Sequence, residues 1–175
     1  MAQLSYDPRR ELVIRRYPFQ IYTLVPLAAL VLQAWLPSVR WMGGFAFLNL
    51  PLVVTIYFSL GRRSPVQGTI LGCVMGLLQD SLTHHTIGLN GVILTVVGYL
   101  AASVGIRIDE GNLMVRVVLN VMLSLLASAL YLFIYVLLLG MDLQWSWITE
   151  LLRGVGNAVL ALALYPLLDR LQLKD

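Results

Sequence analysis

The chain has 175 residues, of which 59% are hydrophobic and 12% charged, with a formal net charge of +3 and a single cysteine, Cys73. A soluble domain of this length carries roughly one-quarter charged residues, so the composition excludes a single aqueous core and implies an exterior that is also apolar. The basic residues sit between apolar runs rather than in one patch and no nucleic-acid motif is present, which sets nucleic acid aside; one cysteine allows no intrachain disulfide.

Taken in order, residues 1–16 are mostly polar and place Arg9, Arg10, Arg15 and Arg16 ahead of the first apolar run. Next to a bilayer these side chains attract anionic lipid, each contributing about 1 kcal/mol near the surface. The segment and the run after it read as an uncleaved signal anchor. Apolar runs of transmembrane length then predict helices at Tyr17–Leu36, Met42–Leu60, Val66–Leu82, Ile87–Ile106, Val115–Leu139 and Ile148–Leu168. In lipid every backbone polar group must pair internally, so helix is the form these runs take. The fold class is therefore all-α, a six-transmembrane-helix bundle over residues 17–168, with a basic segment at 1–16 and a short tail at 169–175.

Lysine and arginine positions orient the bundle. Arg9, Arg10, Arg15, Arg16, Arg62, Arg63, Arg107, Arg116, Arg170 and Lys174 fall on one side of a six-span topology, and Arg40 and Arg153 on the other. The positive-inside rule then places both termini in the cytoplasm. Trp35, Trp41, Trp145 and Trp147 all fall at the opposite interface, where an aromatic belt is expected.

Inside the spans a few residues stand out. Gly68, Gly72 and Gly76 recur at i, i+4 and i+8 in the third helix, a spacing that lets a neighbouring backbone approach closely. The neighbour is either another helix of this chain or a partner's. Asp80 extends the same row. A carboxylate there costs roughly 2.5–3.5 kcal/mol to insert, so it must face protein or water. It reads equally as a ligand or proton site, an intersubunit hydrogen bond, or a cap at a helix end. Gly91, Gly98 and Gly105 repeat every seven residues in the fourth span, and Asn120, Ser124 and Ser128 form a polar stripe in the fifth. Asn49 and Asn157 are further amides expected inside the second and sixth spans, and Pro26, Pro51 and Pro166 are expected to kink or end their helices. His84 and His85 point in different directions and have no acidic or thiol cluster beside them, so they read as a turn and no metal is expected. No Walker loop, GxSxG elbow, HExxH or paired-carboxylate motif is present, and no enzyme activity or cofactor is expected.

The tract Gly76-Leu-Leu-Gln-Asp80, Gly88-Leu-Asn-Gly91 and Gly98-Tyr99 resembles the signature region of the bacterial rod shape-determining protein MreD family. Asn157 and Tyr165-Pro166-Leu-Leu-Asp-Arg-Leu171 are similar to that family's C-terminal end. The sequence departs from the pattern in carrying two histidines after the aspartate, where small or polar residues are more usual. The resemblance implies a non-catalytic subunit of the cell-elongation machinery in the bacterial inner membrane, with Gly68, Gly72, Gly76, Asp80, Gly88, Gly91, Gly98, Tyr99 and Asn157 as partner-binding or packing-critical positions. It implies association with the bitopic protein MreC, through it with the glycan polymerase RodA and its partner transpeptidase, and indirectly with the MreB filament. In size and helix count the chain is also similar to the substrate-binding subunits of energy-coupling-factor vitamin transporters, for which Asp80 would be a ligand contact. Such subunits often dock through an Ala-xxx-Ala row on the first helix, and Ala28, Ala29 and Ala34 do not make that spacing.

Overall fold

A computed structural model describes residues 18–35, 48–83, 88–108, 112–138, 140 and 146–170. These form α1 (Phe19–Trp35), α2 (Leu50–Arg62), α3 (Pro65–Thr83), α4 (Leu89–Gly105), α5 (Leu113–Leu132) and α6 (Trp147–Asp169), with a π-helical continuation of α5 over Phe133–Leu138. The described residues contain no strand. Arg9, Arg10, Arg15, Arg16, His84 and His85 lie outside them.

The helices alternate in direction and enclose α2. Every residue of α2 from Leu50 to Gly61 is buried, and the helix touches α1, α3, α4, α5 and α6. One apolar cluster joins Leu52, Ile56 and Leu60 of α2 to Ile93, Leu94 and Val97 of α4 and to Leu123 and Ala127 of α5. The other joins Val53, Val54, Tyr57 and Phe58 to Ala29 of α1 and to Ala161, Tyr165 and Leu168 of α6.

The outer helices are inverted relative to those of a soluble protein. On α6 the inward residues are Glu150, Gly154, Asn157, Ala161, Tyr165 and Leu168, while Leu151, Val155, Val159 and Leu162 are exposed. On α5 the inward residues include Arg116, Asn120 and Ser124, and Val118 and Met122 face out. Polar groups inside and aliphatic groups outside suit a lipid surround. Helix α6 and the stretch Leu113–Leu137 are each long and apolar enough to cross a membrane; α1, α2 and α4 are shorter apolar helices.

The second span departs from its expected start at Met42. The helix begins at Leu50, preceded by the non-helical residues 48–49. Asn49 is its N-cap, and the Asn49 side chain accepts a hydrogen bond from the Leu52 N–H at 3.1 Å. Pro51 falls in the first turn, where its missing N–H would have had no helical partner anyway. So Pro51 opens a helix instead of kinking one, and Asn49 caps the span instead of lying within it. Pro26 and Pro166 sit inside α1 and α6.

Candidate functional site

The polar and glycine residues assemble three features that hold the bundle together. The first is the α3–α4 hairpin. The Gly68, Gly72 and Gly76 row faces α4, so that a methyl group on Gly68 would collide with the carbonyl of Gly98, on Gly72 with that of Leu94, and on Gly76 with that of Asn90. Gly98 returns the contact onto Gly68, and Gly91 abuts the Leu77 side chain. The sevenfold repeat divides between two neighbours, because a methyl on Gly105 would lie 2.6 Å from the carbonyl oxygen of Leu60 on α2. A glycine on one helix is enough to let the backbone of the other approach this closely, as at Gly72 against Leu94 and Gly76 against Asn90, and at Gly68–Gly98 both helices contribute one.

Asp80 closes the turn end of the same hairpin. Its side chain is fully buried, and both carboxylate oxygens accept hydrogen bonds. One accepts from the Gly88 N–H at 2.8 Å and the Gly91 N–H at 3.3 Å. The other accepts from the Asn90 Nδ2 at 2.7 Å and the Asn90 N–H at 3.3 Å. A helix leaves its first N–H groups without internal partners and carries a partial positive charge there. Asp80, from α3, serves as the N-terminal cap of α4. Gly88, at φ 96°, takes the left-handed turn that brings these donors onto the carboxylate. Among the readings open to Asp80, this geometry is a cap, placed on the next helix and not on its own. Tyr99, in contrast, is 51% exposed.

The second feature is a polar seam around the start of α2. The Asn49 N–H donates to Asn157 Oδ1 at 3.0 Å, the Leu50 N–H donates to Gln33 Oε1 at 3.0 Å, and Gln79 Nε2 reaches Asn49 Oδ1 at 3.4 Å. Asn157 donates to Ser124 Oγ at 3.3 Å, Asn120 Nδ2 donates to the Asn157 carbonyl at 3.1 Å, and Tyr165 Oη donates to Asn120 Oδ1 at 3.3 Å. Side chains from α1, α3 and α6 thus converge on the start of α2, and α5 joins them through Asn157 of α6. Of these, sequence reading marked Asn157, Asn120 and Ser124; it missed Gln33 and Gln79, two amides whose place in apolar helices was the available signal.

The third feature lies at the opposite end of α2. Arg116 and Asp169 form a two-pronged ion pair, with N–O distances of 3.1 and 2.6 Å, and Tyr57 Oη donates to Asp169 Oδ1 at 2.6 Å. Arg116 also lies 5.5 Å from the centre of the Tyr165 ring. Near the other face Arg153 pairs with Glu150 at 3.0 Å. Sequence reading placed Arg116 as a flanking topology signal only; an arginine a turn inside an apolar helix was the cue to an internal partner.

Among the described residues no three His, Cys, Asp or Glu side chains gather to hold a metal. The buried polar groups engage one another across helices, and that is what the arrangement can do: fix the relative depth and rotation of six helices. These features define a helical membrane-protein bundle whose interior is devoted to its own assembly. The chain belongs to the rod shape-determining protein MreD family, whose model matches residues 14–173, a family of shape-determining membrane proteins. No curated protein and no solved structure matches it.

Proposed function

We propose that this chain is a non-catalytic membrane subunit of the bacterial cell-elongation complex. In this reading it spans the inner membrane six times with both termini in the cytoplasm. It holds a single-pass partner of the MreC kind, and through it RodA, its transpeptidase and, indirectly, the MreB filament, supporting lateral peptidoglycan synthesis. Family membership over nearly the whole chain carries the reading. The interior supports it, because Asp80 and Asn157 are occupied by helix–helix contacts while the apolar faces of α3, α4, α5 and α6 remain open to lipid or a partner helix. The α3–α4 hairpin, with Gly68, Gly72, Gly76, Asp80, Gly88, Gly91 and Gly98, is the packing-critical unit, and Tyr99 on its outward face is the position placed to meet a partner. Arg9, Arg10, Arg15 and Arg16 meet anionic lipid.

The transport-subunit alternative is weakened by the same geometry, since both oxygens of Asp80 are already engaged by α4. Gentle extraction of the tagged chain from its native membranes, followed by identification of what stays bound, tests the choice. A single-pass MreC-like protein with cell-wall synthases is expected. ATPase subunits with a large transmembrane coupling protein would overturn the scaffold reading. A reporter fused to either terminus is expected to be cytoplasmic; an external C-terminus would show that a span has been miscounted.

A further inference from the structure

Two tyrosine hydroxyls inside the bundle have acceptors. Tyr57 Oη donates to Asp169 at 2.6 Å and Tyr165 Oη to Asn120 at 3.3 Å. Tyr99 of α4 differs. It is half exposed, and among the described residues its hydroxyl has no hydrogen-bond partner.

The depth of Tyr99 makes this costly. It follows the start of α4 at Leu89 by ten residues and precedes the end at Gly105 by six, about 15 Å and 9 Å along the axis. Helical side chains lean toward the N-terminus of their own helix, which for α4 is the end capped by Asp80. The hydroxyl is therefore carried away from the nearer end, where Arg107 is exposed, and toward the middle of the span. Water and the lipid ester groups lie outside a hydrocarbon core about 30 Å thick, and acyl chains offer a hydroxyl no acceptor.

The other hydroxyls on this side of α4 are satisfied within the helix. Thr95 Oγ1 donates to the Gly91 carbonyl at 2.6 Å and Ser103 Oγ to the Tyr99 carbonyl at 2.8 Å, each one turn back. A short side chain reaches the backbone of its own helix in this way. A tyrosine hydroxyl stands at the far end of a rigid ring and does not. Around it, Val92, Val96, Tyr99, Ser103 and Ile106 recur at alternating spacings of four and three. Val92 and Ile106 are exposed, Val96 and Ser103 partly so. Along such a row one helix packs against another, and Ser103 is small enough to let it come close.

We propose that this face of α4 receives a transmembrane helix of another protein, one that carries a carboxamide or hydroxyl side chain as acceptor opposite Tyr99. The backbone carbonyls of a helix in lipid are bonded within that helix, so the acceptor is a side chain. A carboxylate at this depth is the more expensive choice. The surface and the chemistry of its occupant follow from α4 alone; that the occupant belongs to the cell-elongation machinery rests on the function proposed for the chain.

The test uses the full chain in its native membranes, with p-benzoylphenylalanine in place of Val92 or Ile106, on either side of Tyr99. The same group in place of Val118 on α5 or Val159 on α6, both exposed, is the control. Adducts formed on irradiation are identified by peptide mass spectrometry. Val92 and Ile106 are expected to capture one apolar span of a second protein, containing Asn, Gln, Ser or Thr. Tyr99→Phe is expected to lower the yield of both adducts about threefold, the worth of an average interhelical hydrogen bond in lipid. It should leave the unfolding of the purified chain unchanged. Lipid adducts alone, adducts to a second copy of this chain, a span without an acceptor, the same span captured equally at Val118 and Val159, or a yield indifferent to Tyr99→Phe would each overturn the inference. A loss of stability in Tyr99→Phe would overturn it too, by placing the acceptor within the chain. A captured span from a protein outside cell-wall synthesis would uphold this surface and sink the proposed function. Co-purification of an MreC-like protein while Val92 and Ile106 capture only lipid would do the reverse.

Discussion

Asp80 near the C-terminal end of α3 is hydrogen-bonded to Asn90 in the first turn of α4 by both the side-chain amide, at 2.7 Å, and the backbone N–H, at 3.3 Å. The same carboxylate holds Gly88 and Gly91. It therefore satisfies the start of α4 with a carboxylate that is itself fully buried.

That relationship predicts a strong effect of Asp80→Leu. The substitution leaves the buried N–H of Gly91 and the partly buried N–H groups of Gly88 and Asn90 without their acceptor; an unsatisfied buried donor costs about 1–3 kcal/mol, so a loss of about 2–3 kcal/mol is expected. Asp80→Asn keeps one acceptor oxygen and is expected to lose about half as much. His84→Ala and His85→Ala are expected to unfold like wild type. Thermal unfolding in detergent, with yield from membranes as a second readout, checks the order. Equal behaviour of Asp80→Leu and the histidine variants would remove the capping role.

How much of this was readable beforehand differs by feature. The apolar runs located α1, α3, α4, α5 and α6 closely, because a lipid-facing helix must be apolar along its length. They ran through residues 48–49, which are not helical, and the pairing of Asn49 with Pro51 marks that boundary; residues 42–47 of the expected span lie outside the described residues. Asp80 was conspicuous as an acid in an apolar run, but its partners were not. They lie eight to eleven residues onward and meet it only when Gly88 turns at φ 96° and the glycine rows let the hairpin close. Arg116 and Asp169, 53 residues apart, are joined by the packing of α5 on α6, which no local pattern in either helix encodes.

The glycine rows predict a contrast between two alanine substitutions. Gly72→Ala places a methyl against the carbonyl of Leu94, backbone that cannot move aside cheaply, whereas at Gly154 the nearest atom is Cδ2 of Leu125 at 3.6 Å. Gly72→Ala is expected to destabilise by about 2 kcal/mol or more through overpacking. Gly154→Ala is expected to be neutral or slightly stabilising, as a helical glycine replaced without a clash. Paired unfolding curves decide it, and equal destabilisation of the two would show that the α3–α4 approach is looser than described.

Asn157 links three helices, accepting from Asn49 and donating to Ser124 while its carbonyl accepts from Asn120. In lipid such bonds average about 0.6 kcal/mol in double-mutant cycles. Asn157→Ala is expected to cost about 1–2 kcal/mol, with loss of the buried Asn49 N–H acceptor adding to the weaker bond to Ser124. Combining it with Ser124→Ala should recover a coupling near 0.6 kcal/mol. Strict additivity would mean that the Asn157–Ser124 contact adds nothing to stability.

The Arg116–Asp169 pair sets up the last prediction. Arg116 is 95% buried at its side chain, and Asp169 about 70%, so each charge relies on the other for solvation. Removing one partner strands the other, which for buried pairs costs about 3–5 kcal/mol. Asp169→Leu is therefore expected to be severely destabilising, and more so than Arg116→Met, because the arginine left behind lies deeper than the aspartate. The double variant Arg116→Met/Asp169→Leu removes both charges and lets the side chains pack against Tyr57 and Tyr165, so it should recover most of the lost stability. Tyr57→Phe deletes the hydroxyl bond to Asp169 and is expected to cost about 1.5–3 kcal/mol, the range for a hydrogen bond to a charged group. Unfolding of all four variants in one detergent tests the scheme, and a double variant no better than Asp169→Leu alone would show that this ion pair is needed for more than its own neutralisation.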